Sequence, residues 1–297
     1  MFDDLIAQKL VVKKRTPDGL NVFKYTRKVF YDNLWNKDAR LLDARGIVLD
    51  DDNNIVQLPF KKIYNFGENG TLVNRDRKVI AVRKINGFLG VITWHKDKPL
   101  VSTTGSTTSN YVEMAAKHLS GPKLNQVLKD NPDKSFMFEI CDPLDEHIVP
   151  EKPGAYLIGA RKKEINSPLC HEAELDALAE ILGDEVMRPE IYVDIFGNIK
   201  KQLDKVKHEG YLIRDFETEE PLCKLKSPHY LSKKGLMRLG QGKVDLMWKK
   251  PEDFKQRLDE EFYGVFEYII KNYTADQWKE TKELDRRKVI EQYFENI

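Results

Sequence analysis

Short apolar runs recur between residue 1 and about residue 230, and polar or Gly/Pro/Asn/Asp stretches separate most of them. Runs of this length, bounded by turn-forming residues, are typical of β-strands. They predict strands at 45–49, 79–84, 88–95, 136–140, 156–161, 211–215 and 221–225. Two segments with apolar residues at helical spacing predict helices at about 109–119 and 172–182. Gly183 follows the second segment, where a glycine commonly caps a helix.

Beyond about residue 231 the pattern becomes one of helices alone. Apolar and aromatic residues recur at helical spacing between residues 254 and 273, which gives this segment one apolar face. Thr274 followed by Gln277 is typical of a capping box that opens a further helix. We therefore predict an α+β domain over residues 1–231 and a small all-helical domain over residues 232–297.

The composition narrows the class of protein. Of 297 residues, 41% are apolar and 33% are charged, which is typical of a soluble globular protein. No apolar run approaches the roughly 18 residues of a membrane span. Three scattered cysteines without CxxC spacing indicate a reducing, cytoplasmic location. The formal net charge of +1 favours a small substrate, so any nucleic acid must be bound through local basic patches.

Four short segments carry residue types suited to nucleotidyl transfer. A lysine that attacks a phosphate must lose its proton near neutral pH, although a free lysine has a pKa of about 10.4. Burial and neighbouring cations disfavour its ammonium form, and a glycine nearby lets the backbone approach a nucleotide. The segments are Lys84-Ile85-Asn86-Gly87, Phe136-Met137-Phe138-Glu139, Glu209-Gly210-Tyr211-Leu212-Ile213 and Cys223-Lys224-Leu225-Lys226.

These segments predict roles around Lys84, which lies between two apolar runs. Lys224 and Lys226 are two residues apart, so on a strand both would point to one face. There they would neutralise a phosphate and disfavour a proton on Lys84. Glu139 and Glu209 would supply oxygen ligands, one to the ribose hydroxyls and the other to a divalent metal. Each segment alone is ordinary, and their order and spacing together carry the inference.

In this order the segments resemble the motifs of the covalent nucleotidyltransferase superfamily of polynucleotide ligases and RNA capping enzymes. Within it, the chain resembles the phage-type ATP-dependent RNA ligases, the RNA ligase 1-like family. The resemblance extends over about residues 40 to 231. The further segments that carry it are Ala44-Arg45-Gly46-Ile47-Val48, Lys61-Lys62-Ile63-Tyr64-Asn65-Phe66, Ser102-Thr103-Thr104-Gly105-Ser106 and His208-Glu209-Gly210-Tyr211.

The resemblance implies a nucleotidyltransferase (ATP-grasp-like ligase) domain of antiparallel sheets with flanking helices. It implies an enzyme that takes AMP from ATP onto Lys84 and binds Mg²⁺ or Mn²⁺ through Glu209. The implied catalytic residues are Lys84, Lys224 and Lys226. The residues implied to contact the nucleotide are Arg45, Lys62, Tyr64, Asn86, Gly87, Glu139, Ile148 and Leu212, with Ile148 and Leu212 on either side of the adenine.

The implied reaction joins the 5′-phosphate and 3′-hydroxyl ends of RNA through an RNA-adenylate, and a nicked tRNA in RNA repair is the substrate hypothesis. A cytoplasmic monomer is expected, in the host cytoplasm if the chain is of phage origin. An RNA capping guanylyltransferase and a DNA ligase of the same superfamily are alternatives. Both usually carry an oligonucleotide-binding barrel after the Lys-x-Lys motif, where the pattern here is helical. A catalytically inactive relative that only binds RNA is an alternative of another class.

Two positions depart from the family pattern. Asn86 stands where an aspartate is usual, which keeps the hydrogen-bonding shape but removes a charge. Thr104 stands where the founder of the family has a lysine, which removes one expected phosphate contact. A basic run beside the predicted site is a candidate for contacts to RNA phosphates that do not read sequence. Its members are Lys224, Lys226, Lys233, Lys234, Arg238 and Lys243.

Overall fold

The computed structural model describes residues 1–145, 147–258 and 262–295. The strands are β1 Val11–Arg15, β2 Asn21–Tyr25, β3 Arg45–Leu49, β4 Ile55–Gln57, β5 Lys78–Arg83, β6 Phe88–His95, β7 Lys98–Ser102, β8 Lys134–Cys141, β9 Gly154–Lys162, β10 Ile191–Ile195, β11 Gly210–Asp215 and β12 Pro221–Lys226. The α-helices are α1 Asp3–Ala7, α2 Arg27–Tyr31, α3 Asn110–His118, α4 Pro122–Asp130, α5 Glu172–Leu182, α6 Phe196–Gln202, α7 Pro228–Met237, α8 Gln241–Lys249, α9 Pro251–Lys255, α10 Tyr263–Asn272, α11 Ala275–Glu280 and α12 Glu283–Glu295.

The strands form three four-stranded sheets in the orders β1-β2-β3-β4, β10-β5-β11-β12 and β7-β6-β8-β9. Neighbouring strands pair antiparallel in all three sheets. The second and third sheets are joined directly, because β5 ends at Arg83 and β6 begins at Phe88. Residues 84–87, which carry the lysine of interest, therefore lie at the crossing between two sheets.

Helices cover the sheets and bury their apolar faces. The third sheet packs against α3, α4 and α5, and the second packs against α6. In β5 the alternate residues Val79 and Ala81 belong to the cluster around Phe196 of α6, because side chains alternate across a strand. In β8, Phe138 is wholly buried in the cluster with α5, so its truncation to alanine would cost about 3–5 kcal/mol. These cores fix the strand ends from which the site is built.

The helices α7 to α12 share a core of their own with two residues of the loop after β8. That loop contributes Ile148 and Val149 to the cluster. Arg286 of α12 is buried and donates to the carbonyls of Met237 and Trp278, at the ends of α7 and α11. Helix C-termini leave carbonyls without partners, so this guanidinium ties three helices together. Other buried members of the cluster are Tyr230, Leu236, Met247, Phe254, Phe262, Phe266, Ile269 and Ile290.

The structure confirms the α+β fold of antiparallel sheets with flanking helices. The predicted strands are present to within two residues at each end, and the helix predicted at 172–182 is α5. Ser109 caps α3 by accepting from the backbone N–H of Val112, and the capping box of Thr274 and Gln277 opens α11. The single apolar face predicted over 254–273 belongs to two helices, α9 and α10. The domain boundary at residue 231 stays a prediction; residue 231 lies inside α7.

No helix in the described part of the chain is long and apolar enough to cross a membrane.

Candidate active site

Lys84 is held where β5 leaves the second sheet. Its backbone N–H donates to the carbonyl of Gly210 at 2.8 Å, which continues the pairing of β5 with β11 for one residue. Gly210 has φ of +128°, and a Cβ there would lie 2.0 Å from the carbonyl oxygen of Leu225. Only glycine fits this backbone position. The Glu-Gly pair at 209 and 210 thus places its carboxylate next to the lysine.

Glu209 is the centre of the site. One carboxylate oxygen, Oε2, lies 3.2 Å from Lys84 Nζ, and the other, Oε1, lies 3.3 Å from Lys226 Nζ. The side chain of Glu209 is only 4% exposed, while those of Lys84 and Lys226 are 26% and 21% exposed. A buried carboxylate requires such partners, because an unpaired charge there would cost several kcal/mol.

Asn86 completes the arrangement around Glu209. Its side-chain Nδ2 donates to Glu209 Oε2 at 2.9 Å, and its Oδ1 accepts from the backbone N–H of Val149 at 2.9 Å. The amide therefore links the acid to the loop that packs on the helical part. An aspartate at position 86 could not donate to Glu209 and would place two carboxylates in contact.

Gly87 allows a close approach of two backbones. A Cβ at this position would lie 2.2 Å from the carbonyl oxygen of Ile140 in β8. Its N–H donates to Glu139 Oε1 at 3.0 Å, so the glycine also fixes the second buried acid. The sequence predicted a close approach to the nucleotide at Gly87, whereas the close approach in the structure is to β8.

Two carboxylates favour the charged form of Lys84 in the protein without ligands. Burial lowers the pKa of Lys84, but the carboxylates of Glu139 and Glu209 outweigh burial, and the pKa lies above its ordinary value. In the protein without ligands Lys84 is therefore an ammonium ion. That two cations and a divalent ion hold Lys84 neutral beside a bound nucleotide stays a prediction.

Lys224 is the lysine whose pKa is depressed. Burial lowers the pKa of Lys224 to about 7. Lys224 and Lys226 lie on β12, where they pair with Leu212 and Gly210 of β11, so both face the same side of the sheet as predicted. Nearby cations that further lower the pKa of Lys224 are Arg45, Lys62, Lys84 and Lys226. Such mutual repulsion is relieved by an anionic ligand.

A cavity of ≈ 270 Å³ opens beside Lys84. Its polar lining includes Arg45, Lys84, Glu139 and Lys224, all predicted site residues, together with Arg83 and Thr104. Its apolar lining is Phe60, Ile63, Val82, Ile85, Leu89, Ile158 and Leu212. Of these apolar residues the sequence singled out Leu212 alone. An apolar wall opposite convergent charges is typical of a site for a nucleotide or a similar ligand.

Lys62 and Tyr64 lie beside Lys224 on the segment between β4 and β5. The Lys62 ammonium is 2.5 Å from Glu68 Oε1 and faces the rings of Trp35 and Tyr64 at 5.1 and 4.9 Å. The backbone N–H of Lys224 donates to the carbonyl of Tyr64 at 2.8 Å. The structure thus brings both predicted residues to the edge of β12, with Glu68 as a partner that the sequence did not indicate.

Ile148 lies away from the cavity. It is wholly buried in the cluster of α7 to α12, and it is absent from the described residues that line the cavity. Ile158 of β9 lines the cavity together with Leu212. The structure therefore supports Ile158, rather than Ile148, as the apolar partner of Leu212. Nothing in the sequence distinguishes the two isoleucines, because both are apolar residues of a buried segment.

The carboxylate of Glu209 is a suitable ligand for a divalent cation. Carboxylate oxygens are the ligands that Mg²⁺ prefers, and Mg²⁺ is usually held by one or two carboxylates with substrate phosphates and water. Within the described residues, no group of three or more His, Cys, Asp or Glu could hold a metal. The described residues alone therefore provide no closed metal cage.

Comparison with known proteins identifies a family match. A model of the RNA ligase family matches residues 43–234, which is well over half of the chain and contains every predicted site residue. Comparison with curated protein sequences gives no match.

Solved structures share the fold across nearly the whole chain. An archaeal ATP-dependent RNA ligase has a TM-score of 0.59 and 16% identity in form 2, over 98% of this chain and 74% of that one. Form 1 has a TM-score of 0.59 and 15% identity, over 97% and 74%. An Aquifex aeolicus protein assigned as an ATP-dependent DNA ligase has a TM-score of 0.53 and 17% identity, over 98% and 77%. At such identities the likeness concerns the fold alone.

Proposed function

Because its residues 43–234 match the family model, the chain belongs to the RNA ligase family, and we propose that it is an ATP-dependent ligase that carries AMP on Lys84. The observation that supports this most directly is the geometry of Glu209. One buried carboxylate contacts Lys84 and Lys226 at 3.2 and 3.3 Å, and Lys84 also lines a cavity of ≈ 270 Å³. The segments that contain Lys84, Glu209 and Lys226 are therefore in contact through this carboxylate.

The nucleotide enters the cavity with its base against the apolar wall. Leu212 and Ile158 lie on this wall and would contact the adenine, and Glu139 would accept hydrogen bonds from the ribose hydroxyls. The phosphates would lie against Arg45 and Lys224, for which the described residues provide no carboxylate at ion-pair distance. The low pKa of Lys224 supports this placement, since a bound phosphate would stabilise its ammonium form.

In the first step Lys84 Nζ attacks the α-phosphorus of ATP. A P–N bond forms, the bond to the β-phosphate oxygen breaks, and pyrophosphate leaves. Lys84 must lose its proton before it attacks, although Glu139 and Glu209 stabilise its ammonium form in the free protein. A divalent cation on Glu209 would withdraw this stabilisation and would offset charge on the α-phosphate. Lys224 and Lys226 would then hold the oxygens of that phosphate.

In the second step an oxygen of the RNA 5′-phosphate attacks the same phosphorus, and Lys84 leaves as the amine. A 3′-hydroxyl then attacks the activated 5′-phosphate and AMP leaves, which joins the two RNA ends. The requirement for Mg²⁺ or Mn²⁺ and the choice of a nicked tRNA rest on the family resemblance. A monomer and a cytoplasmic location are proposed on the same basis.

The three alternative functions have less support. Capping enzymes and DNA ligases usually carry an oligonucleotide-binding barrel after the Lys-x-Lys motif, whereas the described residues after Lys226 form helices α7 to α12. An inactive relative would be expected to lose the nucleophile or its partners. Lys84, Glu209 and Lys226 are instead present and in contact.

The test is a sealing assay with a 5′-phosphorylated, 3′-hydroxyl RNA strand in the presence of Mg²⁺. We expect ATP to support joining and GTP and NAD not to, and we expect Lys84→Ala to abolish it. Lys98→Gln is the matched control, because Lys98 is an exposed lysine that pairs with His95, about 26 Å along β6 from Gly87. Joining of DNA but not RNA would support a DNA ligase, and transfer of GMP to the enzyme would support a capping enzyme.

A further inference from the structure

A second group of cations begins at Lys226. Lys226 contacts Oε1 of Glu209, whereas Lys84 contacts Oε2. Lys226 ends β12, and α7 begins two residues later. Its ammonium lies 4.9 Å from the ring centre of Tyr230, and that of Lys234 lies 5.9 Å from the same ring. Arg238 follows the end of α7 directly. We call Lys226, Lys234 and Arg238 the α7 cation row.

The spacing of the row follows from the helix. Tyr230, Lys234 and Arg238 are separated by four residues each, and side chains four apart on a helix lie on one face about 5–6 Å from each other. Lys234 and Arg238 are exposed, so the row is open to a ligand. Arg238 also pairs with Glu283 at 3.1 Å, but both side chains are about two-fifths exposed, and such exposed ion pairs are weak.

The row is continuous with the nucleophile. Tyr230 is buried, and the ammonium groups of Lys226 and Lys234 lie over its ring. Lys226 in turn contacts Glu209, which contacts Lys84. Burial lowers the pKa of Lys234, and the charges of Lys226 and Arg238 lower it further, which indicates repulsion that an anion would relieve.

The other lysine of α7, Lys233, forms an internal ion pair. Lys233 is buried and pairs with Glu291 of α12 at 2.9 Å, which fixes α7 to the helical part. Five members of the basic run in the sequence therefore have different structural roles. Lys224 belongs to the nucleotide cavity, Lys233 to an internal ion pair, and Lys226, Lys234 and Arg238 to an open row that starts at the reacting lysine.

We propose that the α7 cation row binds consecutive phosphates of the RNA strand whose 5′ end receives AMP. This inference rests on the proposed ligase function. The strand would run from Lys84 along α7, with its phosphates on Lys234 and Arg238 and without contacts that read its bases. A strand of several nucleotides would use the whole row, whereas a single nucleotide would reach only the end next to Lys84.

The test separates the AMP transfer from the formation of enzyme-AMP. Isolated enzyme-AMP is mixed with either a 5′-phosphorylated hexaribonucleotide or a nucleoside 3′,5′-bisphosphate, and the transfer of AMP is followed in a single turnover. We expect the hexanucleotide to react with at least tenfold higher kcat/KM in the wild-type protein. In Lys234→Gln with Arg238→Gln this advantage is expected to fall to threefold or less.

The two simpler reactions serve as internal controls. The double variant should form enzyme-AMP from ATP, and react with the bisphosphate, at rates within twofold of wild type, and Lys98→Gln should behave as wild type throughout. The slope of log affinity for the hexanucleotide against log salt concentration should fall by about 0.7 for each substituted cation.

An unchanged preference for the hexanucleotide in the double variant would overturn the proposal. An equal loss with both acceptors, or a loss of enzyme-AMP formation, would also overturn it, because the row would then serve the nucleotide or the fold. If the wild-type protein forms no enzyme-AMP, the proposed ligase function itself fails. That result is seen in the wild-type protein, so it is distinguishable from the outcomes above, which concern the double variant.

Discussion

The side-chain amide of Asn86 donates a 2.9 Å hydrogen bond to Glu209, on the same carboxylate oxygen that lies 3.2 Å from Lys84. The asparagine therefore donates to, and stabilises, the carboxylate that keeps the lysine charged. With an aspartate, which is usual in related enzymes, the site would hold one more negative charge beside Lys84 and would attract a cation more strongly. Replacing Asn86 with aspartate therefore tests how strongly the site depends on a bound divalent cation.

Asn86→Asp should make the fold depend on a divalent cation. Without one, loss of the donated hydrogen bond and contact between two carboxylates should lower the free energy of unfolding by about 1–3 kcal/mol. With Mg²⁺ present much of the loss should be recovered, and less Mg²⁺ should suffice for half-maximal enzyme-AMP formation. Thermal unfolding with and without Mg²⁺ measures the first effect. Equal stability in both conditions would contradict the contact with Glu209.

Nucleotide binding should take up a proton above pH 7. The pKa of Lys224 is about 7 in the folded protein, compared with 10.5 for an ordinary lysine, so at pH 8 Lys224 is mainly neutral. A bound phosphate favours its ammonium form, and affinity should therefore fall as the pH rises above 7. Titration calorimetry of an unreactive ATP analogue in buffers of different ionisation enthalpy measures the uptake.

Lys224→Arg is the control for that experiment, since arginine stays charged throughout this pH range. Its affinity should lose the dependence on pH between 7 and 9. The same pKa predicts the effect on stability. Between pH 7 and 10.5 the unfolded chain holds a proton that Lys224 in the folded chain does not. The unfavourable contribution of Lys224 to folding is therefore full below pH 7 and is relieved as the pH rises through that window.

Two isoleucines should give opposite results when truncated. Ile158→Ala removes part of the apolar wall of the cavity and should weaken ATP binding by about 1–2 kcal/mol, or about 5- to 30-fold in KM. Ile148→Ala leaves the wall intact but opens a hole in the helical core, which should cost about 2–5 kcal/mol of stability. Steady-state kinetics and thermal unfolding distinguish them. A large change in KM for Ile148→Ala at unchanged stability would restore its predicted role at the adenine.

The strands that the sequence predicted are those with long apolar runs. β5, β8 and β11 are buried on most positions, and their composition is visible as a run. β1 was missed because four of its five residues are exposed, among them Lys13, Lys14 and Arg15. β10 was missed because it is an edge strand whose residues are mostly partly or fully exposed. Burial thus favoured the prediction of a strand, although β2 was missed with three of its five residues buried.

The charged residues of the site were predictable because the four segments that contain them rarely occur together in this order and spacing. Its apolar half was not, because Phe60, Val82 and Ile158 are ordinary strand or loop residues until the sheets are assembled. The charge on Lys84 depends on distances that no spacing along the chain specifies. Glu139 lies on β8 and Glu209 directly precedes β11, and only the crossing of two sheets brings both to Lys84.

The central claim is that Lys84, rather than another lysine, carries the nucleotide. Lys224 is the rival, because its lower pKa makes it the more neutral amine in the free protein. The protein is incubated with α-labelled ATP and Mg²⁺, digested, and the labelled peptide is sequenced by mass spectrometry. We predict one label per chain, on Lys84, released by pyrophosphate, and none in Lys84→Arg. Label on Lys224, or label that persists in Lys84→Arg, would contradict the account.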